Sequence, residues 1–292
     1  MRLFVDYTLS GVSAGMVYAA VALGLVLIWR STQILNFAQG AMAMLTTYVA
    51  STLLEHSFGY WAAFALALVA GLVLGAATER VLIRPVEGRS AIDAVIVAIG
   101  LLIFLEALAG AIWGSNPRAF PAPFKLVGYV IGGQPVEFTP FDLFIVLAVL
   151  LLMGLMLVLF RFTGVGLRMR ASAFAPEVAR LLGVRVNRML TLGWALAAMA
   201  GALAGVFVAP KVFLSPTYMD SILIYGFTAA IVGGLESPVG SLVGGLGTGL
   251  ILSYVGGYLG SSFQATGALV LLVVVLMVRP TGLFSRVQPR RV

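Results

Sequence analysis

Runs of apolar residues long enough to cross a bilayer dominate this chain. A hydrocarbon core of about 30 Å takes roughly 20 residues of helix, and nine stretches meet or approach that length. They run from Leu9 to Trp29, Asn36 to Leu54, Tyr60 to Ile83, Ile92 to Trp113, Phe141 to Phe160, Met189 to Ala209, Met219 to Leu235, Val239 to Tyr258 and Ser262 to Val278. A soluble domain cannot hide a composition that is 61% hydrophobic and 10% charged. Lipid is therefore the solvent, and backbone groups that find no water must bond within helices. The unbroken apolar stretches exclude a barrel. The expectation is an all-α polytopic bundle of eight or nine membrane segments, a single domain over 1–292. The Asn36 and Met219 segments are candidates for broken or re-entrant helices.

The 18 lysines and arginines set the orientation. If the polar stretch from Arg161 to Arg188 faces the cytoplasm, nine alternating spans leave 14 of them inside. Only Arg2, Arg118, Lys125 and Lys211 fall outside. The positive-inside rule prefers this arrangement, with a cytoplasmic C-terminus and, by parity, an external N-terminus. The first span exceeds a secretory h-region and is read as retained. The net charge of +7 is spread over membrane-flanking loops and is explained by topology and lipid, not nucleic acid. The loop from Asn116 to Pro140, with five prolines, lies on the outer face, either as a plain connector or as a surface for an external partner.

Covalent chemistry finds little support. There is no cysteine and one histidine, His56, so thiolate and clustered-imidazole metal sites are absent. Gly11-Val12-Ser13-Ala14-Gly15 matches a hydrolase elbow string, but it opens an apolar helix and does not follow a strand. Small residues for helix packing explain it better. The same spacing recurs at Gly71 and Gly75, Gly110 and Gly114, Gly201 and Gly205, Gly240 and Gly244, and Gly245 and Gly249. No P-loop lysine is present, so any ATP hydrolysis belongs to another chain. Glu106 is the sole acid well inside a span, and an intramembrane carboxylate is a functional candidate by default. Asn36 and Gln39 share a helix face, suited to capping and interhelical hydrogen bonds. In the cytoplasmic stretch Pro176 starts a short helix, Glu177 suits its N-terminus, and Arg180 with Gly183 suits its close. Val178, Leu181 and Leu182 would then face a partner.

Several motifs in order resemble the permeases of branched-chain amino acid ABC importers, LivH type, over nearly the whole chain. They are Asn36-Phe37-Ala38-Gln39-Gly40, Glu79-Arg80 with Arg84-Pro85-Val86, Ala98-Ile99-Gly100, Arg170-Ala171 through Leu182-Gly183-Val184, and Ala200 to Gly205. Phe227-Thr228 to Gly234 with Ser237 to Gly240, and Arg279 to Phe284, complete the set. The resemblance implies a bacterial inner-membrane complex with a second permease subunit, two ATP-binding subunits and an external solute-binding protein. The chain itself would be no enzyme and would carry no cofactor. It further implies ATPase coupling through the loop 161–188, carried by Arg168, Arg170, Glu177, Arg180, Leu182 and Gly183. Beside it, Asn36, Gln39, Glu106 and Thr228 are the candidates for the translocation path. Gln39 and Glu106 depart from the family pattern of histidine and a neutral polar residue, which leaves the substrate open among amino acids, amides, urea and aromatic acids. The competing reading is a self-sufficient secondary carrier or channel for small polar solutes.

Overall fold

The structure is a computed structural model and describes residues 2–86, 91–131, 134–279 and 281–284. Arg89, Pro280, Arg286, Arg290 and Arg291, used above for orientation and resemblance, lie outside the described residues. In chain order the helices are α1 (Arg2–Thr32), α2 (Gln39–Glu55), α3 (Tyr60–Thr78), α4 (Ala91–Trp113), α5 (Pro140–Phe162) and α6 (Gly164–Phe174). They continue with α7 (Pro176–Leu181), α8 (Val186–Val208), α9 (Asp220–Gly233), α10 (Pro238–Tyr258) and α11 (Gln264–Val278). A two-residue hairpin, β1 (Val130–Ile131) and β2 (Gln134–Pro135), decorates the loop before α5.

All nine apolar stretches are helical. Among the described residues seven helical stretches are long and apolar enough to cross a membrane. The other two, α2 with 17 residues and α9 with 14, are the two segments singled out as candidates for broken helices. Gln39, the first residue of α2, bonds to Ala197, the twelfth of the 23 residues of α8. Thus α2 starts near the middle of the bundle. α9 reaches only about 21 Å, and its C-terminal Gly233 meets the start of α10 and the segment Gly282–Phe284. Its N-terminus therefore stops inside the opposite half.

α1 is the axis of the bundle: 89% of its most apolar window is buried, against 6% for α11. It packs on α8, α9, α10 and α5. Small residues make this possible. A Cβ added at Gly11 would stand 2.9 Å from Leu250 Cα, and one at Gly15 would stand 2.8 Å from the Gly245 carbonyl oxygen. Such backbone approach is how membrane helices gain dispersion energy without a hydrophobic drive. Gly71 and Gly75 of α3 do the same against α8. The elbow-like pentapeptide is thus a helix-packing face, with Ser13 buried in α1. Gly110 and Gly114 differ: Gly114 has φ +81° and ends α4.

The two ends of the bundle are chemically distinct. Arg30, Arg84, Arg161 and Arg188 gather at one end with α6 and α7. Glu55 with Arg118, and Asp142 with Lys211, pair at the other. Aromatic side chains band the second end. Trp61 meets Phe64, Phe124 and Phe144, and Phe4 stacks on Tyr254, as expected where helices leave the hydrocarbon. The proline-rich loop is tied down there by mutual backbone bonds between Arg118 and Leu214 and by buried Phe120.

Candidate functional site

Three polar constellations sit on this frame. The first is at mid-depth, where α2 begins. Asn36 Oδ1 accepts from the Ala38 amide at 3.1 Å, closing an Asx turn that starts the helix. Asn36 Nδ2 donates to Gln39 Oε1 at 3.0 Å, and Gln39 Nε2 donates to the Ala197 carbonyl at 2.8 Å. Both side chains are buried. Gln39 fills a notch that only glycine leaves open, since a Cβ at either Gly24 or Gly201 would stand 2.6 Å from its Nε2. Thr228 of α9 is also buried and donates to its own helix at Ile224 O, 3.0 Å. Of the three, Gln39 bonds across helices, from α2 to α8, Asn36 caps and braces the α2 start, and Thr228 bonds within α9.

The second constellation lies toward the aromatic-banded end. Glu106 of α4 is half-buried, and its carboxyl interacts with that of Asp220, in the first turn of α9. This corrects the reading of Glu106 as the sole acid well inside a span. The Met219 segment is expected to be short, with Asp220 near its start; a helix of 14 residues puts that first turn at depth, against Glu106. A pair of carboxyl groups on a lipid-facing surface would be prohibitive, so this side of α4 and α9 must meet water or protein. Close by, the Tyr218 hydroxyl lies 2.9 Å from Thr47 Oγ1 and donates to the Gly205 carbonyl at 3.0 Å.

A further ion pair near this end was not foreseen. Lys211, after α8, pairs with Asp142 of α5 and donates to Ser13 Oγ of α1 at 3.0 Å. Asp142 Oδ2 also accepts from the Thr139 amide and hydroxyl, 2.9 and 2.7 Å, in a capping box. Thr139-Pro140-Phe141-Asp142 signals that box in the sequence, but its partner lies 69 residues away.

The third constellation is at the arginine-rich end. α6 and α7 form a helical pair outside the bundle, where the sequence suggested one short helix. Arg168, Arg170, Glu177, Arg180, Leu182 and Gly183 are all exposed. Phe174, Leu181 and Leu182 are 81%, 88% and 79% exposed, apolar side chains that no other described residue covers. The other side is anchored: Ala179 packs on Val186 and Leu190 of α8. Gly183 has φ +80° and turns the chain from α7 into α8. Arg170 differs from the other five, since it also lines a groove with Arg30 and Arg161.

The α8 end of this module is locked to α3. Arg84 grips the buried Glu79 through Nε and Nη2, at 2.8 to 3.1 Å. Arg84 Nη2 reaches the Asn187 carbonyl at 3.2 Å and Thr191 Oγ1 at 2.9 Å, and Thr191 donates to Glu79 Oε2 at 2.7 Å. A π-helical turn, Glu79–Ile83, swings these groups together. Among the described residues no group of three or more metal-ligating side chains occurs.

Comparison with known proteins agrees along the full length. The family described as "Branched-chain amino acid transport system / permease component" matches residues 7–278. The high-affinity branched-chain amino acid transport system permease protein LivH of Escherichia coli K12 is 30% identical, covering 99% of this chain and 98% of its own. BraD of Pseudomonas aeruginosa, a permease protein of the same description, is 28% identical with the same coverage. Two solved structures share the fold. PsaBC from Streptococcus pneumoniae, in complex with Fab, superposes with a TM-score of 0.50 at 15% identity, covering 96% of this chain and 93% of its own. An inward-facing metal-chelate type ABC transporter gives 0.52 at 18% identity, over 93% and 85%.

Proposed function

The chain belongs to the family of permease components of branched-chain amino acid transport systems, and from that membership we propose that it forms one half of the membrane path of an ABC importer for branched-chain or closely related amino acids. A second permease subunit supplies the other half, two ATP-binding subunits drive it, and an external solute-binding protein delivers the solute. The arginine-rich end faces the cytoplasm, as does the C-terminus, in a cell membrane.

The observation that carries this reading is the uncovered α6–α7 pair. Its exposed residues include Phe174, Leu181 and Leu182 and the charged Arg168, Glu177 and Arg180, while Ala179 fixes its inner surface to α8. An apolar patch on a rigid lever, framed by charge, suits a partner that must push on the bundle. Closure of an ATP-bound dimer would enter through α7, pass into α8 at the Gly183 turn, and reach α3 through Arg84 and Glu79. The path runs along the α4–α9 side, where Glu106 and Asp220 require a wet or protein-lined environment, and ends at the α2 start beside Asn36, Gln39 and Thr228. Short helices that stop inside the membrane are the usual way transporters place polar groups at depth.

Gentle extraction of the tagged protein from its native membrane tests the assembly. The wild type brings down two ATPases and a second permease, and deletion of Ala171 to Gly183 loses the ATPases while membrane insertion persists. Purification alone, with solute uptake in liposomes without ATP, supports instead a self-sufficient carrier. The Glu106–Asp220 pair is the one feature that favours that second reading, since two acids at depth are a minimal proton relay.

A further inference from the structure

At the arginine-rich end a groove of about 460 Å3 opens between α1, α5 and α10 beside α6. Arg30, Arg161 and Arg170, from three different helices, stand at its mouth. Beyond them the walls are apolar: Leu23, Leu150, Leu157 and Val239. Leu150, Leu157 and Val239 are 42%, 43% and 53% exposed, so the groove opens sideways to the bilayer. From Arg161 to Leu150 along α5 is about 16 Å, most of one leaflet's hydrocarbon depth.

The arginines are short of partners. Among the described residues none of the three forms an ion pair within 4 Å. Arg30 lies over the Phe160 ring, 6.0 Å from its centroid. Glu236 offsets Arg30 electrostatically, and Arg170 opposes it, which leaves an excess of positive charge at the mouth.

We propose that this groove binds an anionic phospholipid of the leaflet at this end, with its phosphate between Arg30, Arg161 and Arg170 and one acyl chain along Leu157 and Leu150. Guanidinium groups match phosphate oxygens in a fork geometry, and basic pockets between membrane helices favour acidic headgroups. A lipid meets both halves of the site in a single molecule. An ATPase carboxylate approaching from the aqueous side would satisfy the arginines but leave the apolar slot empty. A second copy of the chain would fill the slot but bring no charge from its own apolar helices. Because Arg170 belongs to α6, the lipid would also brace α6 and the docking helix α7 against α5. The site is defined by these residues whichever face of the membrane they occupy, so its test is separate from that of the transport reading.

The intact complex, extracted in mild detergent, is titrated with phosphatidylglycerol and with phosphatidylethanolamine, and bound lipid is counted by native mass spectrometry. Wild type prefers the anionic lipid by at least about tenfold. Each arginine changed to glutamine lowers that preference by about fivefold, and the triple variant Arg30→Gln/Arg161→Gln/Arg170→Gln has none. The corresponding triple lysine variant keeps most of it, which separates lost charge from lost folding. Leu157→Trp, with all three arginines in place, lowers occupancy by blocking the slot. Equal binding of the two lipids by wild type, or an undiminished preference in the glutamine variant, overturns the proposal. So does disulfide cross-linking between Leu157→Cys copies in the membrane, which would put a second copy in the groove; the chain's lack of cysteine makes that assay clean.

Discussion

The side-chain amide of Gln39 sits in the notch between Gly24 of α1 and Gly201 of α8 and donates to the Ala197 carbonyl at 2.8 Å. Three helices meet there around one polar side chain, and the notch exists because two of them carry no Cβ.

Gly201→Val therefore forces Gln39 out and lowers the thermal midpoint in detergent, whereas Gln39→Leu alone costs about 0.6–1.7 kcal/mol, the range for interhelical hydrogen bonds in membranes. Combining Gly201→Ala with Gln39→Ala costs less than the sum of the two single changes. Strict additivity in that cycle would show that the amide does not occupy the notch.

Among the described residues Arg84 is the sole ion-pair partner of Glu79, whose side chain is 1% exposed. Arg84→Met strands a buried carboxylate and costs on the order of 3–5 kcal/mol, while Thr191→Val removes one hydrogen bond and costs about 1 kcal/mol. Glu79→Gln/Arg84→Met recovers part of the loss. Thermal unfolding of the three variants checks the order, which reverses if Thr191 and not Arg84 holds α3 to α8.

Much of the fold is legible because helix count follows from apolar run length, which needs no tertiary information. Depth is harder. The Asn36 and Met219 segments stood out as candidates for broken helices, but only packing against α8 and α10 shows where α2 and α9 stop inside. Asp220 lay at the edge of the Met219 segment, and only the fold brings it to Glu106. α6 escaped notice because Gly164 to Arg170 reads as a basic loop; it folds as a helix behind the Thr163 cap, whose hydroxyl accepts from the Gly166 amide at 3.1 Å. The bounds of α7 were legible from helix punctuation at Pro176 and Gly183. The Lys211–Asp142 pair was not, since nothing local links residues so far apart in the chain.

The Glu106–Asp220 pair predicts a wet surface. The chain lacks cysteine, so Glu106→Cys and Asp220→Cys carry single reporters. Both react with a membrane-impermeant maleimide added from outside to the assembled importer, at least about tenfold faster than Ile103→Cys on the exposed flank of α4. Solute-loaded binding protein slows the reaction. Equal rates at positions 103, 106 and 220 would mean that α4 and α9 do not border the path, and the acids would then be a buried structural pair.

Leu181 and Leu182 separate docking from folding, because side chains 88% and 79% exposed contribute little to the stability of the chain that carries them. Leu181→Asp/Leu182→Asp leaves the thermal midpoint within about 0.5 kcal/mol of wild type, as for surface changes generally, yet it places two carboxylates in an interface that must desolvate them. ATPase recovery in a pull-down falls by about tenfold or more, and solute uptake falls with it. Gly183→Trp acts differently: φ +80° strains any residue with a Cβ, so α7 shifts relative to α8 while its apolar patch survives. That variant keeps its ATPases but hydrolyses ATP without moving solute. If it loses the ATPases as well, the Gly183 turn orients the docking surface and does not transmit the stroke.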